Sequence, residues 1–279
     1  MNISFTKMHG LGNDFVVFDL ITQRFSLQPQ HIRQLADRHF GVGCDQVLAV
    51  EVPGNPEVDF RYRIYNADGN EVEQCGNGAR CFARFVHDSH LTAKNPITVE
   101  TNSGIISLTL LDGDQVLVNM GQPKFEPKAL PFTASQRQEK YDLELALNEG
   151  TIDVQVGAVS MGNPHAVMQV EDIHSEMVNQ LGPQVECHEV FPKNVNAGFM
   201  EIVNRNEMKL RVYERGAGWT LACGTGACAA MVTAHQWGLV DDEVKVHLPG
   251  GELTIKWDGQ GDVMMTGPAT RVFEGRIQV

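Results

Sequence analysis

No apolar run in this chain approaches the roughly 20 residues needed to cross a bilayer. The opening MNISFTKMHGLGNDF has no hydrophobic centre of the kind a secretory leader carries. A membrane anchor and an export route are therefore not expected, and the chain reads as soluble and cytoplasmic. Positive charge is also in short supply: 35 Asp and Glu stand against 22 Lys and Arg, a net charge of -13. That balance repels a nucleic-acid backbone. The glycine-rich runs lack the G-x-x-x-x-G-K-[ST] order of a phosphate loop, and none supplies a full G-x-G-x-x-G after a strand, so no nucleotide is expected. Metal-binding spacings are missing too, because Cys75 to Cys81 and Cys223 to Cys228 are too far apart for a Cys-x-x-Cys clip. With no export signal, the six cysteines are expected to be reduced thiols.

What the chain does have is an internal repeat. QCGNGARC (74 to 81) is answered by ACGTGACAA from Ala222, and the match runs far upstream. RYRIYNADGNEVEQCGNGA (61 to 79) lies against KLRVYERGAGWTLACGTGA (209 to 227), with a tyrosine ten residues before each cysteine. LGNDFVVF answers SMGNPHAV at an offset of 150, and Gln46 answers Asn196 at the same offset. Asn13, Gln46, Asn66 and Cys75 thus recur in order as Asn163, Asn196, Glu214 and Cys223.

At 279 residues and 42% apolar composition the chain is long enough for two modest domains. Short alternating runs such as FVVFDL, VLAVE, FRYRIYN, AVMQV, GFMEIV and LRVYE suit strands. The helices expected are QPQHIRQLADRHF, stopping near Gly41, and the segment after each repeated cysteine. The fold expected is α+β: two pseudo-symmetric domains, each a strongly bent, mostly antiparallel sheet around a central helix. The polar, proline-containing GQPKFEPKALPFTASQRQEK reads as the linker. The first domain takes residues 1–120 plus a returning 268–279, and the second takes 121–267, since chain termini often lie close together.

A helix start carries unpaired N–H groups and about half a positive charge, which favours an anion. Cys75 and Cys223 at such points are expected to have lowered pKa values, and the amides of Gly76-Asn77 and Gly224-Thr225 are placed to hold a substrate carboxylate. If a pseudo-twofold axis joins the halves, the two helix starts converge on one α-carbon with a sulfur on each face, the arrangement for stereoinversion. Paired helix dipoles then take up carbanion charge, so neither pyridoxal phosphate nor any other cofactor is required. Asn66-Ala67 faces Glu214-Arg215, and only the second half carries the charged pair. It suits a zwitterion with a second anionic end.

Blander readings stand beside these. Cys44, Cys81, Cys187 and Cys228 read as buried packing residues. Asn13, Asn163 and Asn196 are residue types that cap turns, His165 alone reads as a structural hydrogen-bonder, and adjacent Glu214 and Arg215 as a solvated pair. Another cysteine-pair racemase, acting on proline or hydroxyproline, and a thiol redox or binding protein are the competing functions.

HGLGNDFVV, QCGNGARC, GNPH, FPKNVNAGF, YERGAGWTLACGTGAC and GPATRVFEG, taken together and in this order, resemble the diaminopimelate epimerase family over essentially the full length. The resemblance implies a proline racemase-like fold and cofactor-independent interconversion of LL- and meso-2,6-diaminopimelate in lysine and peptidoglycan-precursor biosynthesis, with Cys75 and Cys223 as acid and base. It implies substrate contacts at Asn13, Gln46, Asn66, Gly76, Asn77, Asn163, Asn196, Glu214, Arg215, Gly224 and Thr225, with His165 and Glu214 adjusting the thiol pKa values. It also implies a homodimer, in which Phe273 stands at a contact position where relatives often carry tyrosine.

Overall fold

The computed structural model describes residues 2–72, 75–147 and 150–278. In chain order the elements are β1 (Asn2–Gly10), β2 (Asn13–Asp19), α1 (Pro29–Ala36), β3 (Gln46–Glu51), β4 (Phe60–Asn66), β5 (Glu71–Val72), α2 (Gly76–Asp88), β6 (Ile97–Thr101), β7 (Gly104–Leu110) and β8 (Gln115–Asn119). There follow β9 (Tyr141–Leu147), β10 (Gly150–Ser160), β11 (Pro164–Gln169), α3 (Glu176–Glu186), β12 (Asn196–Asn204), β13 (Glu207–Glu214), β14 (Gly218–Trp219) and α4 (Gly224–Gln236). The last elements are β15 (Glu243–Leu248), β16 (Gly251–Lys256), β17 (Met264–Pro268) and β18 (Thr270–Gln278). The fold is α+β and mostly strand. The chain divides into two compact units, Met1–Asn119 with Thr266–Val279, and Met120–Met265.

In the first unit the ladder runs β18, β1, β2, β3, β4, β6, β7, β8, antiparallel except for the β2/β3 and β4/β6 pairs. A parallel pair needs a crossover between its strands, and α1 and α2 are those crossovers. Eight strands at about 4.8 Å spacing span roughly 34 Å, three times the width of a helix. Yet α2 touches both β18 and β8, the first and last of these eight strands. The sheet therefore wraps around α2. Gly76 to Cys81, Phe82, Ala83, Phe85 and Val86 are buried on it, and Phe82 meets the rings of Phe60 and Tyr62. The outer face carries α1, whose Ile32 and Leu35 pack with Val16, Val47 and Ala49. Having a helix on each face explains why β3 is buried at four successive positions, 47 to 50.

The second unit repeats this pairing. Its ladder is β9, β10, β11, β12, β13, β15, β16, with β11/β12 and β13/β15 parallel and α3 and α4 as crossovers. The registers coincide: Phe15 opposes Gln46 as His165 opposes Asn196, and Val47 opposes Tyr65 as Ala197 opposes Tyr213. The side-chain period of a strand is two, so a slip of one residue would reverse every face. The sequence repeat is a repeat of register.

Four local expectations differ. Helix α1 stops at Ala36 and does not run on toward Gly41. Asp37 is extended, and its Oδ1 accepts the His39 and Phe40 N–H groups at 2.7 and 2.8 Å, a local side-chain bond that competes with helix continuation. Helix α3 is masked in the sequence by its own Gly182 and Pro183; Ser175 caps it from Oγ to the Val178 N–H, and Val178, Leu181 and Val185 form its buried stripe. The proline-containing stretch after β8 is more than a connector, because Pro127 and Leu130 are buried and Phe132 stacks on Phe191 at 4.8 Å. Cys44, Cys81 and Cys228 are buried, whereas Cys187 is exposed, with its Sγ donating to Pro183 O at 3.1 Å near the end of α3. It caps a carbonyl and does not pack a core. Among the described residues no helix is long and apolar enough to cross a membrane.

Candidate active site

Because β2 and β3 run parallel and β4 runs back, the start of β2, the start of β3 and the end of β4 lie at one edge of the first unit. Asn13, Gln46 and Asn66 occupy those three ends. Gln46 Nε2 donates to Asn66 Oδ1 at 2.8 Å across the β3/β4 ladder. The chain then turns through β5 into α2, whose N-cap is Cys75 in an extended conformation. Cys75 Sγ reaches Asn13 Oδ1 at 3.6 Å, and Tyr62 Oη donates to the Cys75 carbonyl at 3.3 Å. Glycine at 78 is required here, since a Cβ would stand 2.4 Å from Tyr62 Oη. The first intrahelical bond is Ala79 N–H to Cys75 O, so the amides of Gly76 and Asn77 precede the helical ladder. The Asn77 side chain has structural work: Nδ2 donates to Asn13 Oδ1 at 3.3 Å and Oδ1 accepts from Arg80 at 3.0 Å.

The second unit builds its edge the same way. Asn163 precedes β11, Asn196 opens β12, Glu214 closes β13 and Cys223 is the N-cap of α4. Asn196 bridges two neighbours, with Nδ2 donating to Pro164 O at 3.0 Å and Oδ1 accepting the Arg215 N–H at 2.9 Å. Thr220 Oγ1 donates to Glu214 Oε1 at 2.5 Å. The Arg215 guanidinium reaches Lys193 O at 3.4 Å. Cys223 Sγ accepts the Gly226 N–H at 3.3 Å and lies 3.6 Å from Thr225 Oγ1. The 560 Å³ surface cavity of the first unit, lined by Thr6, Asp19, Phe85 and Arg276 among others, includes none of these residues.

The expectation of a lowered pKa fails for Cys223. Burial pushes its thiol well above the ordinary range, the charge on nearby Glu214 adds to that, and the bonds from Thr225 and Gly226 act in the other direction without prevailing. A helix start supplies only partial charge, while full burial removes the water that stabilises a thiolate. Replacing Glu214 by glutamine removes the repelling charge, so the pH profile of Cys223 alkylation by iodoacetamide moves to lower pH. Peptide mapping checks this, with buried Cys81, held up at about 12 by burial, as the unmoved reference. A Cys223 profile that stays in place would mean burial alone sets it.

His165 is fully buried, and burial with the Arg215 cation lowers its pKa to about 3. It is therefore neutral at neutral pH. Its Nε2 lies 3.0 Å from Asn163 Oδ1, which puts the ring proton on Nε2. Nδ1 is buried with no hydrogen-bond partner among the described residues. His165 thus donates to Asn163 as a neutral ring.

Two residues outside the sequence expectations belong to this architecture. Arg80 is fully buried and ties the start of α2 to Asn77 and to Pro268 O. Asp45 receives Asn13 Nδ2 at 3.0 Å. A cation on the buried side of the GNGAR run was the available signal for the first. For the second it was the symmetry of Asn13-Asp14 with Asp45-Gln46.

The family model for diaminopimelate epimerase matches residues 5–126 and 157–272. Over its whole length the chain is 57% identical to a diaminopimelate epimerase of Teredinibacter turnerae and 56% identical to one of Pseudomonas entomophila, each also covered in full. The chain belongs to the diaminopimelate epimerase family. Among solved structures, a hydroxyproline epimerase from Agrobacterium vitis matches with a TM-score of 0.71 at 15% identity, covering 99% of this chain and 92% of that one. At that identity the likeness speaks for the fold alone. Membership of the epimerase family makes this chain an isomerase of that kind.

Proposed function

We propose that this chain interconverts LL- and meso-2,6-diaminopimelate by a two-thiol proton transfer at the α-carbon, serving lysine and peptidoglycan-precursor biosynthesis. The reading is carried by full-length identity above half to relatives that bear that activity as their name. Cys75 and Cys223 are the catalytic pair. One sulfur, as thiolate, takes the α-proton; the C–H electron pair remains on the α-carbon and its carboxylate; the other sulfur, as thiol, returns a proton to the opposite face. The reverse reaction exchanges the two roles, and the pair's apparent pKa values belong to both. The chemistry needs one thiol on each face of the α-carbon.

The amides of Gly76, Asn77, Gly224 and Thr225 receive the reacting carboxylate, where helix starts favour the growing negative charge. Glu214 takes an ammonium and Arg215 the distant carboxylate, while Asn13, Gln46, Asn66, Asn163 and Asn196 complete the polar surround. His165 and Glu214 tune the thiols, Glu214 through its charge near Cys223 and His165 through Asn163. The protein works in the cytoplasm as a homodimer. Phe273 on β18, about half exposed with its edge toward Phe5 at 5.9 Å between centroids, stands at the subunit contact.

Incubation of the reduced protein with LL-diaminopimelate in deuterium oxide is the test. Deuterium appears at the α-carbon as the meso isomer forms, and proline under the same conditions keeps its α-hydrogen. Exchange into proline without exchange into diaminopimelate would replace this reading with the proline or hydroxyproline one. Exchange into neither would leave a thiol redox or binding protein.

A further inference from the structure

Asn13 is held by its amide nitrogen. Nδ2 donates to Asp45 Oδ2 at 3.0 Å, and the same oxygen accepts the Asp14 N–H at 3.1 Å. A carboxylate only accepts, so this contact decides which end of the Asn13 amide points where. With Nδ2 committed to Asp45, Oδ1 faces Cys75 Sγ at 3.6 Å and Asn77 Nδ2 at 3.3 Å. The opposite side imposes the same choice, because Arg80 Nη2 donates to Asn77 Oδ1 at 3.0 Å and so turns the Asn77 nitrogen toward Asn13.

Asp45 is itself clamped. Arg38 Nη2 donates to Asp45 Oδ1 at 2.7 Å and to Asp14 Oδ1 at 2.8 Å, and the Asp45 N–H returns to Asp14 Oδ1 at 2.9 Å. Lys7 holds Asp14 Oδ2 at 2.5 Å and also donates to Gly43 O. These charges keep the Asp14 carboxyl well below the usual carboxylate range despite its partial burial.

The second half of the sequence repeat has no such device. Pro164 and Val195 stand where the first half has Asp14 and Asp45; one lacks an N–H and the other is buried and apolar. There Asn163 meets the neutral ring of His165, and Cys223 Sγ is faced by the Gly226 N–H donor. The sulfur of the first half meets the Asn13 carbonyl, and that of the second meets the Gly226 N–H together with the Glu214 carboxylate.

We propose that Asp45 is a positioning residue that acts through Asn13: by holding the Asn13 carbonyl against Cys75 it favours the protonated sulfur there. The catalytic use of that thiol rests on the function proposed above; the placement of Asn13 by Asp45 does not. In Asp45→Asn a single oxygen is left for three donors, namely Arg38, the Asp14 N–H and Asn13 Nδ2. Asn13 is the one able to turn over, giving up the weak 3.3 Å bond from Asn77 Nδ2, and it then presents N–H to the sulfur and favours thiolate.

Alkylation of Cys75 followed by peptide mapping across pH reads this without turnover. In Asp45→Asn the Cys75 profile moves to lower pH by about half a unit to one unit, in line with the exchange of one hydrogen-bond acceptor for a donor, while the Cys223 profile stays in place. The limb of the kcat profile that follows Cys75 moves with it. Arg38→Gln loosens Asp45 without altering its charge and gives a smaller shift of the same sign, so the idea remains open to refutation if Asp45→Asn does not fold. The other ionisable groups around Cys75 and its supports, Tyr62 on β4, Arg80 and Cys81 on α2, His9 on β1 and Asp14 on β2, are not substituted in either variant, and of these only Asp14 loses a cationic partner in Arg38→Gln. A Cys75 profile that stays put in either folded variant, with or without lost activity, overturns the proposal. A native protein inert toward diaminopimelate overturns the epimerase reading instead and leaves the alkylation result to be judged on its own.

Discussion

Cys223→Ser lowers the rate of diaminopimelate epimerisation by about 10²- to 10⁴-fold, the usual contribution of one positioned acid or base, and Cys75→Ser lowers it to a similar extent. Both directions fall in each variant, because every passage requires one sulfur to take a proton and the other to give one. A serine hydroxyl occupies nearly the same place as a thiol but ionises far less readily, so it fails as the base and donates poorly as the acid. Cys187→Ser is the control: that thiol is exposed at the end of α3 and its loss leaves the rate unchanged. Coupled racemisation assays from LL- and from meso-diaminopimelate measure all three. Normal turnover in either Cys75→Ser or Cys223→Ser would refute the two-thiol mechanism.

Arg80→Met costs about 1–3 kcal/mol of stability, the desolvation penalty of a buried acceptor left without its donor. The guanidinium is fully buried and donates to Pro268 O at 3.0 Å, Gly76 O at 3.4 Å and Asn77 Oδ1 at 3.0 Å. Methionine fills much of the same volume, so the loss comes from acceptors left without donors inside the protein and not from a cavity. Arg80→Lys does not rescue it, since an ammonium lacks the planar fork that spans acceptors in different directions. Urea unfolding measures the change. A midpoint within experimental error of the native protein in Arg80→Met would show that those carbonyls find water. Because Asn77 and Gly76 open α2 beside Cys75, the variant also slows turnover in whatever fraction stays folded.

Much of this site could be read from the chain. Cys75 and Cys223 announce themselves because each precedes a Gly-polar-Gly-Ala run, and such a run has few uses other than letting a ligand approach a helix start. The offset of 150 shared by Asn13 and Gln46, and of 148 shared by Asn66 and Cys75, from their counterparts is matched by equal strand registers, since a two-residue side-chain period tolerates no slip. Helix α3 was hidden by Gly182 and Pro183, whose local preferences oppose the helix that Val178, Leu181 and Val185 stabilise by burial. The extension of α1 past Ala36 failed for the converse reason, a strong local bond from Asp37 that no hydrophobic pattern reveals. Cys187 looked like any other lone cysteine, and its exposure follows from its place just past the end of α3.

By itself the sequence determined the family, the α+β class and the doubled arrangement, and it singled out the two thiols proposed for catalysis, because pattern, spacing and residue type are properties of the chain. Only the tertiary structure decided what surrounds each sulfur. Asp45 turns the Asn13 carbonyl toward Cys75, Arg80 holds Asn77 from inside the sheet, and burial beside Glu214 raises the pKa of Cys223 against the pull of its helix start. Those outcomes depend on which groups lose water and which end of an amide faces which neighbour. Residues 32 or 62 positions apart along the chain settle such questions only once the strands have brought them to one edge.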